Sequence, residues 1–286
     1  MRYQAPESLD AAVALLAGAQ GEARVLAGGT DLLVQLRADL VDPELIVDIK
    51  KIREARTVAE ERGGWRIGAA VTGAELKENT RLKQDWPGVV EAANLIGSTQ
   101  IQGRATLGGN LCNGSPAADS VPALIAAGAT AAVVGPRGRR DVPVEDVMIG
   151  PRKLSLTKGE LIASFFLPPR GRGAADAYLR FIPRTEMDIA VVGVGINLAL
   201  DGAGTITTAR VSLGAVAEKV LLVPEAAQAI VGSRLDDAAQ ERLAAQARRA
   251  CRPIDDKRGT IDFRIDVAGV LARRVASIAY ERARLR

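Results

Sequence analysis

The stretch Ala27-Gly28-Gly29-Thr30-Asp31 decides the fold, together with a second cluster far downstream, Thr106-Leu107-Gly108-Gly109-Asn110. Each cluster stands next to an apolar segment and is predicted to open a loop. Glycine has no Cβ, so its backbone N–H can approach an anion closely, as phosphate and pyrophosphate sites require. One Gly-Gly pair more often serves an ordinary turn. Two pairs in similar settings predict a ligand that carries phosphate groups.

The first cluster lies between an apolar segment, Arg24–Ala27, and a helical pattern, Asp31–Arg37, in which Asp31 is expected to cap the helix. A strand, a glycine turn and a helix N-terminus together form a cradle for an anion. Neither cluster is followed by the Gly-Lys-Ser/Thr of a Walker loop, and neither has the Gly-x-Gly-x-x-Gly spacing of a Rossmann turn. A dinucleotide bound here would therefore lie in another fold.

Composition indicates a soluble globular protein, because 48% of the 286 residues are hydrophobic and 25% are charged. No apolar leader follows Met1 and no apolar run reaches membrane-spanning length, so we expect a cytoplasmic protein without a membrane span.

The net charge is +4, and arginines are concentrated near the C-terminus. Acidic residues and alanines separate them and no aromatic residues interleave, which favours a solvated helix surface over nucleic-acid binding, although a protein partner could also use them. These arginines are Arg248, Arg249, Arg252, Arg258, Arg264, Arg273, Arg274, Arg282, Arg284 and Arg286.

Histidine is absent and the only cysteines are Cys112 and Cys251. A histidine-based triad, the usual zinc sites and a four-cysteine iron–sulfur cluster are therefore excluded from this chain alone, and no metal ligands or catalytic residues are assigned. Either the chain does no chemistry or a bound organic cofactor does it. Each cysteine is expected to be a small buried apolar residue.

Three units follow one another along the chain. Residues 1–55 predict a small α/β unit, residues 56–170 a second unit of strands and helices, and residues 175–286 a sheet packed on helices. The prolines and glycines of Pro168–Gly173 mark the boundary before the third unit.

At this point the sequence resembles the flavin-carrying medium subunits of molybdenum hydroxylases, the family of xanthine dehydrogenase and aerobic carbon monoxide dehydrogenase. The matching stretches occur in family order and cover nearly the whole chain. They are Ala27–Leu33, Ile67–Thr72, Ile101–Leu111, Ser115–Asp119, Gly159–Ile162 and Arg184–Ala190.

The resemblance implies an α+β protein: an FAD-binding fold of the vanillyl-alcohol-oxidase type, with two N-terminal α/β subdomains, followed by a C-terminal domain of antiparallel sheet with helices. In this family the two glycine clusters hold the FAD pyrophosphate from both sides. The cofactor contacts implied on this chain are Val25, Leu26, Ala27, Gly28, Gly29, Thr30, Asp31, Leu32, Thr106, Leu107, Gly108, Gly109 and Asn110.

Four further positions match flavin-region residues of the family. Asp119 matches an acidic FAD contact, with an N-cap of the following helix as the alternative. Ile96 and Leu156 match less specific positions and could equally be core residues. Arg180 could stabilise a reduced, anionic flavin, or it could be an exposed strand residue.

The implied function is electron transfer: FAD on this chain would pass electrons from a partner's iron–sulfur clusters to an acceptor such as NAD or a quinone. A small subunit would carry the 2Fe-2S clusters and a large subunit the molybdenum cofactor, as a dimer of heterotrimers. The two cysteines cannot supply the extra cluster of some relatives, so the ordinary form is favoured. A stand-alone flavin reductase of the same superfold and a non-catalytic nucleotide-binding scaffold remain as alternatives.

Overall fold

The computed structural model describes residues 1–286. Its strands are β1 (Arg2–Gln4), β2 (Ala23–Leu26), β3 (Leu45–Asp48), β4 (Val58–Glu61), β5 (Gly64–Gly68), β6 (Thr130–Gly135), β7 (Gly138–Pro143), β8 (Met148–Gly150), β9 (Lys153–Leu154), β10 (Leu161–Leu167), β11 (Ala174–Phe181), β12 (Val192–Leu200), β13 (Ile206–Gly214) and β14 (Leu221–Leu222).

The helices are α1 (Leu9–Gly18), α2 (Leu32–Arg37), α3 (Gly73–Glu78), α4 (Thr80–Asp85), α5 (Pro87–Ala93), α6 (Thr99–Gln102), α7 (Leu107–Cys112), α8 (Ser120–Ala126), α9 (Pro224–Gln228), α10 (Asp237–Ala250) and α11 (Ile261–Arg284). None of them is both long enough and apolar enough to cross a membrane.

The first sheet is parallel, with strand order β1-β3-β2. Its central strand β3 is buried along its whole length, as a strand covered on both faces must be. The sequence predicts Ser8 as the cap of helix α1, and its side chain accepts a hydrogen bond from the Ala11 N–H at 3.2 Å. The sheet brings the end of β2, and with it the first glycine cluster, to one edge.

The second sheet is antiparallel, with strand order β4-β5-β10-β6-β7. Strand β10 is its centre, and six of its seven residues are buried. A single apolar core of 41 buried residues, from Ala12 to Val220, joins this sheet to the first one.

The third sheet is antiparallel, with order β11-β12-β13-β14, and it forms a core of 27 buried residues with α9, α10 and α11. Helices α5 and α8 cover its other face. The approach is close: a Cβ at Gly195 of β12 would lie 2.5 Å from the Pro122 carbonyl oxygen of α8. The domain boundaries at residues 55/56 and near 170–175 stay predictions.

Several elements differ from the sequence-based expectation. The apolar pattern predicts a strand over Tyr178–Arg184 and a helix from Asp266. Strand β11 instead lies at Ala174–Phe181, and α11 begins at Ile261, where Thr260 caps it. The short strand β1 was not predicted, because three residues form a strand only through pairing with β3. Local pattern does not reveal such a partner.

One arginine of the C-terminal group is not on a solvated surface. The side chain of Arg264 is buried and donates hydrogen bonds to the carbonyl oxygens of Val191 and Ala215, at 2.8 and 3.2 Å, and to Asp256 at 2.7 Å. It connects α11 to the ends of β12 and β13. Cys251 is buried as expected, with its thiol donating to the Ala247 carbonyl oxygen at 3.2 Å.

Candidate functional site

A cavity of about 280 Å³ lies between the first glycine cluster, helix α7, the β8–β9 hairpin and the start of β10. Eleven of the predicted cofactor contacts line it: Val25, Ala27, Gly28, Gly29, Thr30, Asp31, Leu32, Thr106, Gly108, Gly109 and Leu156. The fold therefore brings the two glycine clusters, which are far apart in sequence, to one site.

The first cluster forms the predicted strand, glycine turn and helix, from β2 to α2. The backbone N–H groups of residues 28–32 donate no hydrogen bond within the protein. Gly29 adopts a φ of +84°, which a residue with a Cβ rarely adopts. Five consecutive free donors at a left-handed turn and a helix N-terminus make a nest for an anion.

The second cluster is not a loop, contrary to expectation. Thr106 caps helix α7, and both glycines lie in its first turn. The Gly108 N–H donates to the Ala69 carbonyl oxygen at 3.2 Å, and the Gly109 N–H donates to Thr106 Oγ1 at 3.0 Å. Because both glycine N–H groups already donate within the protein, the two glycines contribute close packing and a wall without side chains to the cavity.

Asp31 stands at the N-cap position of α2 but makes no capping bond, which corrects the sequence-based expectation. Its carboxylate instead accepts a hydrogen bond from Asn113 Nδ2 at 3.1 Å, across the mouth of the cavity. Burial raises the pKa of the Asp31 carboxyl, and a hydrogen bond from Thr30 offsets part of that rise. The carboxylate faces the site as an acceptor for hydroxyl or amino donors.

Asp119 and Arg180 do not line the cavity but bind each other. Arg180 Nη1 lies 2.8 Å from Asp119 Oδ2, and the Tyr178 hydroxyl donates to Asp119 Oδ1 at 3.3 Å. Burial raises the pKa of the Asp119 carboxyl to about 6, although Arg180 and Tyr178 act against the rise. The alternative of an exposed Arg180 is wrong, because only 4% of its side chain is accessible.

The capping bond expected of Asp119 in its alternative role is made by Asn110 instead. Its Oδ1 accepts hydrogen bonds from the Ser120 N–H at 3.0 Å and the Ser120 hydroxyl at 2.7 Å, which holds the start of α8. Asp119 precedes that helix without a side-chain capping bond. Three predicted contacts are buried apolar residues outside the cavity lining: Leu26, Leu107 and Ile96. For Ile96 this agrees with the alternative of a core residue.

Sequence reasoning missed Gln35, Cys112, Asn113 and Arg152, all of which line the cavity. Cys112 was expected to be buried, but the residue is exposed and lines the cavity. Desolvation by the surrounding protein raises the pKa of its thiol to about 12. Gln35 Nε2 donates to Asn113 Oδ1 at 3.0 Å, which orients the Asn113 amide toward Asp31. Only the fold shows that the end of α7 and the β8–β9 turn meet the first cluster.

The site fits part of a dinucleotide that bears a diphosphate. Its volume lies just below the ~300–1,000 Å³ typical of pockets for organic ligands, so it accounts for a portion of such a molecule. The free N–H groups of residues 28–32 suit the anionic portion, and Leu154, Leu156 and Ile162 suit an apolar one. No group of His, Cys, Asp or Glu side chains is arranged to hold a metal ion. The class defined by this fold and site is a cofactor-binding protein outside the Rossmann type.

Sequence comparison places the chain more specifically. Residues 1–170 match the family described as the FAD binding domain in molybdopterin dehydrogenase, and residues 177–279 match the C-terminal domain of CO dehydrogenase flavoprotein. The chain therefore belongs to the FAD-binding medium subunits of the molybdenum hydroxylase family. This confirms the family, FAD as the cofactor and an oxidoreductase complex as the setting.

Curated relatives match over nearly their whole length. The carbon monoxide dehydrogenase medium chain of Afipia carboxidovorans is 34% identical over 284 residues, covering 99% of this chain and 97% of the relative. The putative xanthine dehydrogenase FAD-binding subunit of Escherichia coli K12 is 32% identical over 280 residues, covering 97% and 95%.

Solved structures confirm the predicted fold class. A chain of the Cu,Mo-CO dehydrogenase in its cyanide-inactivated form superposes with a TM-score of 0.94 at 33% identity, covering 99% of this chain and 98% of that one. A chain of quinoline 2-oxidoreductase from Pseudomonas putida gives a TM-score of 0.89 at 28% identity, with the same coverage.

Proposed function

We propose that this chain is the electron-transfer subunit of its complex and passes electrons from a partner's iron–sulfur clusters through FAD to an external acceptor. The observation that carries the proposal is the cavity between the glycine clusters, with five free N–H donors and no metal-binding or histidine-based constellation beside it. A chain built in this way binds a redox cofactor and leaves substrate chemistry to another polypeptide.

The residues around the cavity have distinct parts in this proposal. Residues 28–32 would donate to the diphosphate, Gly109 would leave space for it, and Asp31 would accept from hydroxyl or amino groups of the nucleotide. Bound FAD supplies reversible two-electron and one-electron chemistry. The protein's own share is to position the cofactor and to exclude water from it.

We further propose partners and an acceptor. The relatives are named medium chains and FAD-binding subunits, which supports a small iron–sulfur subunit and a large molybdenum-cofactor subunit. The complex would be a dimer of heterotrimers in the cytoplasm, with NAD or a quinone as acceptor. In this proposal a partner, and not this chain, selects the organic substrate.

The test is to purify the chain alone and with its co-expressed partners. We expect a yellow protein whose flavin absorption bleaches with dithionite in both preparations. Substrate-dependent bleaching should require the partners. Hydroxylation of an organic substrate by the isolated chain, or a colourless chain that cannot be reconstituted with FAD, would contradict the proposal.

The match of residues 177–279 to the CO dehydrogenase flavoprotein C-terminal domain favours a complex subunit over a stand-alone flavin reductase. One measurement distinguishes the complex subunit from the stand-alone reductase. A stand-alone reductase would turn over a pyridine nucleotide with its own organic substrate in the absence of any partner, and we expect no such turnover.

A further inference from the structure

The turn of the β8–β9 hairpin holds an arginine where glycine is expected. Gly150 pairs with Lys153, so the loop is the dipeptide Pro151-Arg152. Arg152 has a φ of +57°. Proline cannot adopt a positive φ, so a two-residue turn of this shape is of type II, whose second central position strongly favours glycine. An arginine there is strained, and such strain points to a role for its side chain.

This turn is fixed against the helix that carries the second glycine cluster. The Arg152 N–H donates to the Gly114 carbonyl oxygen at 2.8 Å. The contact is tight, since a Cβ at Gly114 would lie 2.8 Å from the Arg152 Cα. This hydrogen bond holds the backbone of Arg152 at the end of α7, and Arg152 lines the cavity there.

The charge of Arg152 has no partner in the protein. It takes part in none of the ion pairs of the molecule, although most arginines do. Of the other charged residues lining the cavity, Arg24 pairs with Glu22 and Glu160 with Arg140, whereas Asp31 is held by an amide. Arg152 is therefore the one cation of the cavity lining that has no ion-pair partner.

We propose that Arg152 is a further cofactor-binding residue, whose guanidinium pairs with the anionic diphosphate of the dinucleotide. A guanidinium forms strong, charge-assisted and often bidentate hydrogen bonds with phosphate oxygens. The energy of that contact compensates for the strained turn. The inference rests on the proposed cofactor site and adds to it a residue that neither glycine cluster indicates.

The experiment measures FAD affinity on protein stripped of its flavin, by the quenching of flavin fluorescence on rebinding. Arg152→Gln and Arg152→Gly are compared with Lys153→Gln, which removes the adjacent exposed cation outside the cavity lining. We expect Kd to rise about tenfold or more in both Arg152 variants, as the loss of a charge-assisted bond implies, and to stay near wild type in Lys153→Gln. Added salt should weaken wild-type binding more than variant binding.

The glycine variant separates binding from folding. Arg152→Gly relieves the positive φ, so its flavin-free form should melt at or above the wild-type temperature while it binds FAD more weakly. If both Arg152 variants bind FAD like wild type while Gly109→Val loses it, Arg152 has no such role and the site stands. If Gly109→Val also keeps FAD, the proposed site itself is wrong. Equal weakening in Lys153→Gln would also overturn the inference.

Discussion

The four glycines of the two clusters differ in what a Cβ would meet. At Gly28 it would overlap the Arg104 carbonyl oxygen, and at Gly108 it would lie 2.5 Å from the Ala69 carbonyl oxygen. Gly29 has a positive φ and a leucine side-chain atom 2.9 Å from its Cβ position. Gly109 has only Thr106 Oγ1 nearby, at 3.1 Å. All four glycines line the cavity, but three also serve close packing or backbone conformation, and only at Gly109 would a Cβ avoid a clash with backbone or a strained φ.

We expect Gly109→Val to lose FAD while the fold is retained. The branched side chain would occupy the cavity, whereas valine in the first turn of α7 costs little relative to glycine. Flavin absorbance per protein and the thermal melting temperature measure the two effects. Gly103→Val is the control, because the nearest atom to its Cβ position is 3.9 Å away. Stoichiometric FAD in Gly109→Val would show that FAD does not bind in this cavity.

Asp119 predicts a pH dependence of stability. Its pKa of about 6 in the folded protein lies above the ordinary value near 3.8. The folded state therefore holds a proton that the unfolded state releases, so stability from this group is complete below pH 4 and is lost as pH rises through 6. A rise of two units corresponds to about 3 kcal/mol.

The measurement for Asp119 is the free energy of unfolding between pH 4 and 8, for wild type and Asp119→Asn. Other carboxyls, such as Glu160 with its pKa lowered to about 2, are common to both proteins. The difference between the two curves should change across this range and level off above pH 7. A difference that is independent of pH would mean that Asp119 titrates normally.

At the scale of elements, the first cluster was predictable and the second was not. An apolar strand, two glycines and an aspartate indicate a strand, turn and helix from local pattern alone. Leu-Gly-Gly-Asn has poor helix propensity, so sequence favours a loop there. Helix α7 forms because Thr106 caps its start and Asn110 bonds to α8, which are contacts that local pattern does not reveal.

Thr106→Val should therefore destabilise the protein by about 1 kcal/mol, the usual cost of losing an N-cap. The substitution is nearly isosteric but removes the acceptor for the Gly109 N–H. Denaturant unfolding of the flavin-free protein measures the change. Thr208→Val, an exposed strand residue, is the matched control and should be neutral. If Thr106→Val has the same free energy of unfolding as Thr208→Val, helix α7 does not depend on its cap.

At the scale of the whole molecule, the site was only partly predictable, because several of its residues are brought to their partners only by tertiary contacts. The resemblance implies that Asp119 and Arg180 contact a flavin, but it does not indicate their mutual ion pair, which joins the residue before α8 to β11. Likewise, Arg152 reaches the cavity only because its hairpin docks on the end of α7. Composition and local pattern predict many of the strands and helices, whereas contacts distant in sequence form the site.

The packing also predicts the behaviour of a truncated chain. Helices α5 and α8 cover one face of the third sheet, so residues 1–170 alone would expose the apolar surface that they bury there. We expect this fragment to aggregate or to bind a hydrophobic dye strongly, as size-exclusion chromatography and dye fluorescence would show. A monomeric, FAD-binding fragment would show that the N-terminal region is independent of the sheet.

The close approach of Gly195 to Pro122 has a consequence for recombination between relatives. A β12 residue larger than glycine at position 195 would collide with the α8 backbone. The N-terminal region that carries α8 and the C-terminal sheet that carries β12 therefore constrain each other's surfaces. A chimera that joins the N-terminal region of one relative to the C-terminal region of another should assemble only when α8 and β12 come from the same parent. The crossover point that such gene shuffling tolerates would then lie before Ser120 or after Leu200, outside the segment that contains both α8 and β12.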